Sequence, residues 1–428
     1  MSSGESMAAQ GCKIGFVAKR LEGTDGVSLE TRKWVDVLTE LGHECYFFAG
    51  ASDWEPERTM IVPEAHFEHP RVLAVNDALF VRRERPPAVS AEVGALRALL
   101  HDALRAFIKK YSIDLLIVEN ALAIPMNVPL GLALTGLIAE TGIPTIAHHH
   151  DFVWERTRYA LNAAEDFLRA AFPPVMTGIH NVVINSYAAT ELARRTGMRS
   201  TVIPNVMNFE VPHDGADKYA ADLRVELGVP EDHLLVVQPT RIVPRKRIEL
   251  AVMFVKWLEV PATLVISHHG GDEGHDYERF IRRLADTLAV PVIFGGERFA
   301  PVRGHTEDGR KVYSLGDAYH AADLVTYPSL IEGFGNAFVE AIYHRKPVVM
   351  SRYAIYQTDI MPKGFQVIEF DDYISDSSVK RAREWLADPE HRREMADRNY
   401  DLGKKYFSYS VLRRRLEVLI DHLLGRLY

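Results

Sequence analysis

The feature that most constrains this chain is its alternation of short apolar runs with longer amphipathic ones. Lys13–Ala18, Glu44–Ala49, Asp114–Val118, Pro144–His148 and Asn181–Asn185 read as buried strands. Leu29–Leu41, Ala95–Tyr111, Pro129–Thr141 and Ser186–Thr196 read as helices between them. Buried strands separated by helices of about 10 to 15 residues predict parallel sheets built from βαβ units. The pattern lapses around Val206–Leu227 and then restarts. Leu234–Pro239, Ala262–Ser267, Pro291–Gly295, Leu324–Tyr327, Pro347–Met350 and Gln366–Ile368 form the second set of strands, with helices at Ile248–Leu258, Asp276–Leu288, Ala318–Ala322 and Asn336–Tyr343. The expected fold class is therefore α/β, with two doubly wound Rossmann-like domains. A length of 428 residues fits two domains, since one domain takes about 150. The expected division is a flexible leader over residues 1–10, a first domain over 11–210, a linker over 211–228, a second domain over 229–405, and a helical tail over 406–428. In the tail, Tyr409–Leu424 is amphipathic, with Val411, Leu412, Leu416, Leu419, Ile420 and Leu423 near one face and Arg413–Arg415 on another. It is expected to pack on a domain, with peripheral membrane contact not favoured.

Composition narrows the function. Lys and Arg number 50 against 58 Asp and Glu, a net charge of −8 that argues against a nucleic-acid binder or an anionic-membrane binder. Two cysteines, Cys12 and Cys45, make neither a disulfide framework nor a four-cysteine zinc site. A reduced, cytoplasmic setting is the expectation. The opening residues MSSGESMAAQ lack the basic start and apolar core of a signal peptide. Ala121–Ala139 is uncharged over 19 residues, but Pro125, Asn127, Pro129, Gly131 and Gly136 interrupt it. A spanning helix needs about 20 mostly apolar residues, so this stretch reads as a buried loop plus helix.

Four constellations carry chemistry. In Tyr327-Pro-Ser-Leu-Ile-Glu332-Gly-Phe-Gly335-Asn-Ala-Phe-Val-Glu340 a strand ends, a loop with two glycines follows, and a helix begins near Gly335. Glycines let backbone approach a ligand, and a helix N-terminus offers N–H groups and positive partial charge. Glu340, just over one turn in, suits ribose hydroxyls, and Glu332 in the loop suits a sugar. In Gln238-Pro-Thr240-Arg241-Ile-Val-Pro-Arg245-Lys246-Arg247, four cations within seven residues follow an apolar strand. That pattern suits a diphosphate, which arginine grips bidentately and lysine meets as a point charge. The plainer readings are a capped helix and a solvated basic loop.

The third is Ala147-His148-His149-His150-Asp151-Phe152-Val153-Trp154-Glu155-Arg156, at a strand end. Neighbours in an extended segment point to opposite faces, so at most His148 and His150 converge. No further Cys or His stands at ligand spacing, so no metal site is expected. Arg156 and Arg158 suit an anionic acceptor or plain surface ion pairs. The fourth, Gly23-Thr24-Asp25-Gly26-Val27-Ser28, is a glycine loop at a helix start, with neither a dinucleotide nor a P-loop signature in the chain.

Together the four resemble the retaining nucleotide-sugar glycosyltransferases of family 4 (group 1), which have the two-domain GT-B architecture. The resemblance runs in order through the Gly26 loop, the His cluster, Ile203-Pro204-Asn205, Arg241 with Lys246, and Glu332 with Glu340. The family more often has Gly where Val206 stands here. The resemblance implies an N-terminal acceptor domain, a C-terminal nucleotide-sugar domain, a cleft between them, and a tail helix crossing back to the N-terminal domain. It implies that Arg241 and Lys246 hold the donor diphosphate, Glu340 the ribose and Glu332 the sugar ring. Backbone of Gly333, Phe334, Gly335 and Asn336 would hold hydroxyls or phosphate, and Gly26 would bring an N–H to the phosphate or acceptor. One histidine would contact the donor sugar, His149 being preferred because Asp151 follows two residues later. Asn120, His148, His150, Asp151 and Arg156 would serve the acceptor, within the segments Glu119–Asn127 and His148–Arg158.

The implied activity is metal-independent, retaining transfer of a hexose to a hydroxyl of a small polar or anionic acceptor, with no cofactor besides the donor substrate. Base contacts in this architecture are largely backbone-mediated, so UDP-, GDP- and ADP-linked donors all fit. Fixed cations at the leaving diphosphate would supply much of the stabilisation. Competing readings are a lipid or polymer glycosyltransferase using Arg413–Arg415 at a membrane, a non-catalytic nucleotide-sugar-binding protein, and a glycan phosphorylase, which is usually much longer and carries pyridoxal phosphate.

Overall fold

A computed structural model describes residues 11–23, 25–212, 215, 217–270 and 275–426 of the protein. The predicted leader and Thr24 of the glycine loop lie outside the described residues. The chain divides into two compact units: residues up to Asn205 together with those from Ser410 onward, and Val206–Tyr409.

The first unit runs β1 (Lys13–Val17), α1 (Gly26–Glu40), β2 (Glu44–Ala49), β3 (Thr59–Ile61), α2 (Pro70–Phe80) and α3 (Pro87–Tyr111). It continues with β4 (Leu115–Glu119), α4 (Val128–Thr141), β5 (Thr145–His149), α5 (Glu165–Ala171), β6 (Ile179–Val183), α6 (Ser186–Thr196) and β7 (Ser200–Val202). The seven strands are all parallel, in the order β3-β2-β1-β4-β5-β6-β7. β4 and β5 are buried at every residue, which is why they read as continuous apolar runs rather than alternating ones. Val17, Phe48, Leu116 and Val118 pack with Leu104, Phe107, Leu130 and Leu134 of α3 and α4 in a core of this unit. The uncharged stretch Ala121–Ala139 becomes a buried loop and most of α4, capped by Asn127, whose side chain accepts from Leu130 N–H at 3.0 Å. Among the described residues no helix is long and apolar enough to cross a membrane.

The second unit holds α7 (Leu223–Glu226), β8 (Leu234–Gln238), α8 (Ile248–Trp257), β9 (Ala262–Ile266), α9 (Asp276–Leu288) and β10 (Val292–Phe294). A hairpin of β11 (Gly304–His305) and β12 (Lys311–Val312) leads to α10 (Leu315–Ala321) and β13 (Leu324–Tyr327). Then come α11 (Asn336–Tyr343), β14 (Val348–Ser351), β15 (Ile368–Phe370), α12 (Asp376–Ala387) and α13 (Pro389–Phe407). Its six-stranded parallel sheet is ordered β10-β9-β8-β13-β14-β15. Val236, Leu264, Ile266 and Val349 pack with Phe254 of α8 in its core.

The described residues of the segment expected as a linker, and Phe209 just before it, are built into the second unit. Phe209 is buried edge-on to the Tyr343 and Tyr400 rings. Asp222 pairs with Lys311 at 2.5 Å and accepts from the Tyr313 hydroxyl at 2.8 Å. This stretch is held by scattered side-chain bonds and not by a repeating apolar face, so its pattern lapses although it is packed.

The last helix, α14 (Tyr409–Leu423), belongs almost wholly to the first unit, with Leu412, Leu416 and Ile420 buried. Arg413 pairs with Glu40 at the end of α1, and Arg415 donates to the Val202 carbonyl of β7. The helix packs on a domain as expected, and two of the three cations that the competing membrane reading would use are engaged within the fold.

Candidate functional sites at the two switch points

In a doubly wound sheet, ligands bind beyond the carboxyl ends of the strands where the winding reverses. The reversal lies between β1 and β4 in the first unit and between β8 and β13 in the second. The four constellations emerge at or beside these two places.

In the second unit, Thr326 on β13 donates to Gln238 Oε1 at 2.9 Å, and Gln238 Nε2 donates to Thr240 Oγ1 at 2.7 Å. This buried relay fixes the exit from β8. Pro244–Lys246 then form one 3₁₀ turn, and Arg247 takes a left-handed conformation (φ 49°) that turns the chain into α8. The loop after β13 lies against this turn, with Leu330 N–H donating to the Arg245 carbonyl at 2.9 Å. Lys246 forms an ion pair with Glu332, and Arg245 stands 3.7 Å from the other carboxylate oxygen. The Lys246 ammonium sits 5.6 Å from the Tyr327 ring centroid. Burial lowers the Lys246 pKa, with the Glu332 carboxylate opposing the shift. Arg241 is exposed at the mouth of the loop. Residues 86 positions apart in the chain are thus joined in one cationic cradle that holds the Glu332 carboxylate.

The Glu332–Glu340 segment has a glycine that its geometry demands. Gly335 has φ 126°, and a Cβ there would collide with the Tyr353 hydroxyl, which donates to the Phe334 carbonyl at 2.9 Å. Phe334 turns its own ring inward, edge-on to Phe407 at 5.3 Å, so it offers the site only backbone. Gly333 is exposed, and Asn336 opens α11 with its positive end toward this loop. Glu340 is positioned by Tyr319 of α10, whose hydroxyl donates to it at 2.9 Å. Burial and the Glu340 charge push the Tyr319 hydroxyl pKa well up, so it stays a donor.

In the first unit Lys19, just past β1, is buried and donates to the Asn120 carbonyl beyond β4 at 2.8 Å. Burial brings this ammonium down to about 8. Asn120 has a left-handed backbone (φ 53°) and joins three predicted residues. Its amide donates to Asp151 at 2.8 Å and accepts from the His150 N–H at 3.1 Å. Asp151 in turn pairs with Arg156. Gly26 is the first residue of α1, where the Asp25 side chain caps Val27 and Ser28 N–H at 3.0 and 3.2 Å.

The three histidines separate as an extended strand requires. Glu119 lies opposite His148 in the β4–β5 register. Its carboxylate meets His148 Nδ1 at 3.0 Å and His150 Nε2 at 3.2 Å. His148 is wholly buried and stacked on Trp34 at 4.2 Å. Burial pushes Glu119 up, yet the charge and hydrogen bond of His148, then those of His150, outweigh it and hold the carboxyl at about 2. His149 points the other way, bonding Asn181 at 2.9 Å and lying against Phe152 at 4.9 Å. Its ring is shut in the core, and burial holds it at about 4. The preference for His149 as the sugar contact therefore does not fit its placement. His150, partly exposed at the strand end, is the ring that reaches the surface.

Among the described residues, Glu119, His148 and His150 also form the trio whose ligand atoms lie within 4.8 Å of one another. Those atoms already serve one another as hydrogen-bond partners. Sequence reading missed Lys19, Tyr319 and His268. Lys19 and His268 each lie directly beyond a strand, a position readable in the sequence, whereas Tyr319 reaches Glu340 from a separate helix and leaves no local signal.

The chain is similar to known proteins along most of its length. Residues 24–211 match glycosyltransferase family 4, and residues 309–402 match the glycosyl transferases of group 1. The chain is 31% identical to the mannosylglucosylglycerate synthase of Thermotoga maritima, over 94% of this chain and 97% of that one. It is 30% identical to the mannosylglucosylglycerate synthase of Petrotoga mobilis, over 94% of this chain and all of that one. The fold matches that of Anabaena HepE solved with UDP and glucose, with a TM-score of 0.65 at 14% identity, covering 96% of this chain and 100% of that one. A chain that follows two such synthases from end to end, and matches both family descriptions in the expected order, belongs to the group 1, family 4 glycosyltransferases, enzymes of GT-B architecture.

Proposed function

We propose that the protein is a retaining, metal-independent hexosyltransferase that moves a hexose from a nucleoside-diphosphate sugar to a hydroxyl of a small anionic acceptor. The observation that carries this reading is the cationic cradle at the β8–β13 switch point, where Lys246 pairs with Glu332 and exposed Arg241 lies close enough to Lys246 to act on its charge. As the bond from the sugar's anomeric carbon to phosphate oxygen breaks, positive charge develops on the sugar and negative charge on the diphosphate. Lys246 and Arg241 stabilise the leaving group, and Glu332 leaves its resting pair with Lys246 to meet the sugar ring. Glu340, held by Tyr319, takes the ribose hydroxyls. The acceptor hydroxyl attacks from the face the leaving group vacates, and its proton passes to the departing phosphate oxygen. No protein nucleophile and no metal are needed in this scheme. His150 replaces His149 as the histidine toward the donor sugar.

The acceptor side is read from the first unit, where Lys19, Arg156 and Arg158 gather near Asn120 and Asp151. Such a group suits a carboxylate. The two synthases named above make a product containing glycerate, a carboxylic acid, which supports an anionic acceptor here as well. The test is a screen of UDP-, GDP- and ADP-hexoses against glycerate, glucosylglycerate and a neutral glycoside, read by proton NMR of the product anomer. Turnover with an acidic acceptor and retained configuration is expected. An inverted anomer, or turnover with the neutral glycoside alone, would sink the reading.

A further inference from the structure

β8 and β9 run side by side with Gln238 opposite Ile266. Their exits are stitched together, Ser267 N–H donating to the Gln238 carbonyl at 3.3 Å and Ile242 N–H to the His269 carbonyl at 3.2 Å. His268 therefore stands next to the Arg241–Lys246 loop, at the same level beyond the sheet. Its Nδ1 lies 2.8 Å from Ser267 Oγ, which fixes the ring and leaves Nε2 as the outward nitrogen. The side chain is half-buried. Among the described residues, the charged and titratable groups acting on it are Lys246 and Arg241 from the β8–α8 loop and His269 from its own, while Asp272 and Glu273 further along that loop lie outside the described residues. Burial first, then these cations, hold the imidazole down at about 4, so it is neutral at pH 7. A ring kept neutral by burial and by neighbouring positive charge gains a proton when a close anion cancels that charge and adds an attraction that outweighs the burial.

We propose that His268 is a further diphosphate-binding residue of the donor site, and that it takes one proton from solvent when the donor's diphosphate enters beside Arg241 and Lys246. This rests on the donor-site reading above. In the bound state Nδ1–H donates to Ser267 Oγ and Nε2–H to a phosphate oxygen. No covalent bond forms or breaks. The ring joins a cation pair the family resemblance already implies, and makes donor affinity depend on pH.

The test is calorimetric titration of the full chain with UDP-glucose, GDP-mannose and ADP-glucose, in Tris and in HEPES, between pH 6 and 8.5. The phosphates of these donors are diesters and do not titrate in that range, so any proton taken up belongs to the protein. For the donor that binds, the apparent enthalpy should differ between the two buffers by an uptake approaching one proton at pH 6. That uptake should decline toward pH 8.5, and affinity should rise as pH falls, by up to about tenfold per unit. His268→Gln keeps an amide donor near the Nε2 position without a titrating group. It should abolish the uptake while binding within about threefold of the parent at pH 8.5, and His269→Gln should keep the uptake. A ring-proton NMR titration of the unsubstituted protein, with and without donor, gives the same answer if His268→Gln does not fold. Donor binding without proton uptake, or uptake that survives in His268→Gln, overturns the inference and leaves the donor site standing. No binding by any of the three donors overturns both.

Discussion

The two switch points are built on the same sheet plan and carry opposite electrostatic designs. Beyond β1 and β4 the charges are spent on one another: Glu119 on two histidines, Asp151 on Arg156, Arg20 on Asp25 at 3.2 Å, and Lys19 on a backbone carbonyl. Beyond β8 and β13, among the described residues, cations are left in excess: Arg245 and Lys246 stand at the Glu332 carboxylate, with Arg241 and a neutral His268 nearby. A site whose charges are mostly paired internally suits a small ligand placed by hydrogen bonds and one charged contact, such as a single carboxylate. A site with surplus fixed cations suits one that arrives and leaves as a polyanion, because its dipoles and charges need not reorganise when leaving-group charge appears.

The contrast can be broken most sharply at Lys246. Lys246→Ala should lower kcat by about 100-fold or more with the fold intact, on the scale of losing one preorganised donor to transition-state charge. Steady-state kinetics with circular dichroism checks this, and near-normal turnover would erase the distinction between the two ends. Glu340→Ala should weaken nucleotide binding by about 10- to 100-fold, the range of a hydrogen bond to a charged group. Unchanged affinity in calorimetry would remove the ribose from the second unit.

The closed end is tested through stability. Glu119→Gln, which removes the buried charge facing two histidines, should cost about 2–3 kcal/mol. The sign with pH follows from the shifts. Glu119 is held at about 2, so its stabilisation is present above the ordinary carboxyl range and lost as pH falls toward 2. His150 is lowered by burial but raised further by its bond and charge pairing with Glu119. Its share is therefore full below about 6.5 and lost as pH rises through the folded value. The difference in Tm between parent and variant should peak between about pH 5 and 6 and narrow on both sides. A pH-independent difference would mean that the trio is mere packing. Tyr319→Phe should change nucleotide affinity by only a few-fold, since Glu340 keeps its place on α11, and a loss equal to that of Glu340→Ala would show that the hydroxyl itself binds ligand. Chelator should change nothing. Activity lost to chelator and restored by metal would turn the Glu119, His148 and His150 trio from a closed network into an ion site.

Much of the fold is readable because its strands are buried on both faces and so stand out as apolar runs. β2, β13, α6, α9 and α11 fall on their predicted bounds. The elements that escape notice lack that contrast. β3 and β7 are three-residue edge strands, each at most one-third buried. α12 and α13 are charge-rich, and the buried stripe of α13 runs through Ala396, Asn399 and Gly403, which carry little apolar signal. α3 begins at Pro87 and not Ala95, because a proline that reads as a break is tolerated in a first turn. The donor-site cations and carboxylates are readable as contiguous motifs beside strands. The orientation of the three histidines is not, because it depends on the register that sets Glu119 opposite His148. Nor is Tyr319, whose link to Glu340 exists only once α10 lies on α11.

The placement of α14 bears on the order in which this chain can be made. The first unit emerges from the ribosome up to Asn205, but its last helix follows only after the whole of the second unit, Val206–Tyr409. At about 5–20 residues per second, those roughly 200 residues take on the order of 10–40 s. Throughout that interval the nascent first unit carries an uncovered apolar bed where Leu412, Leu416 and Ile420 will lie. The contiguous second unit has no such wait and can close as soon as its own strands are out. Translation therefore finishes the protein in an order its numbering conceals, with the first half to appear being the last to be completed.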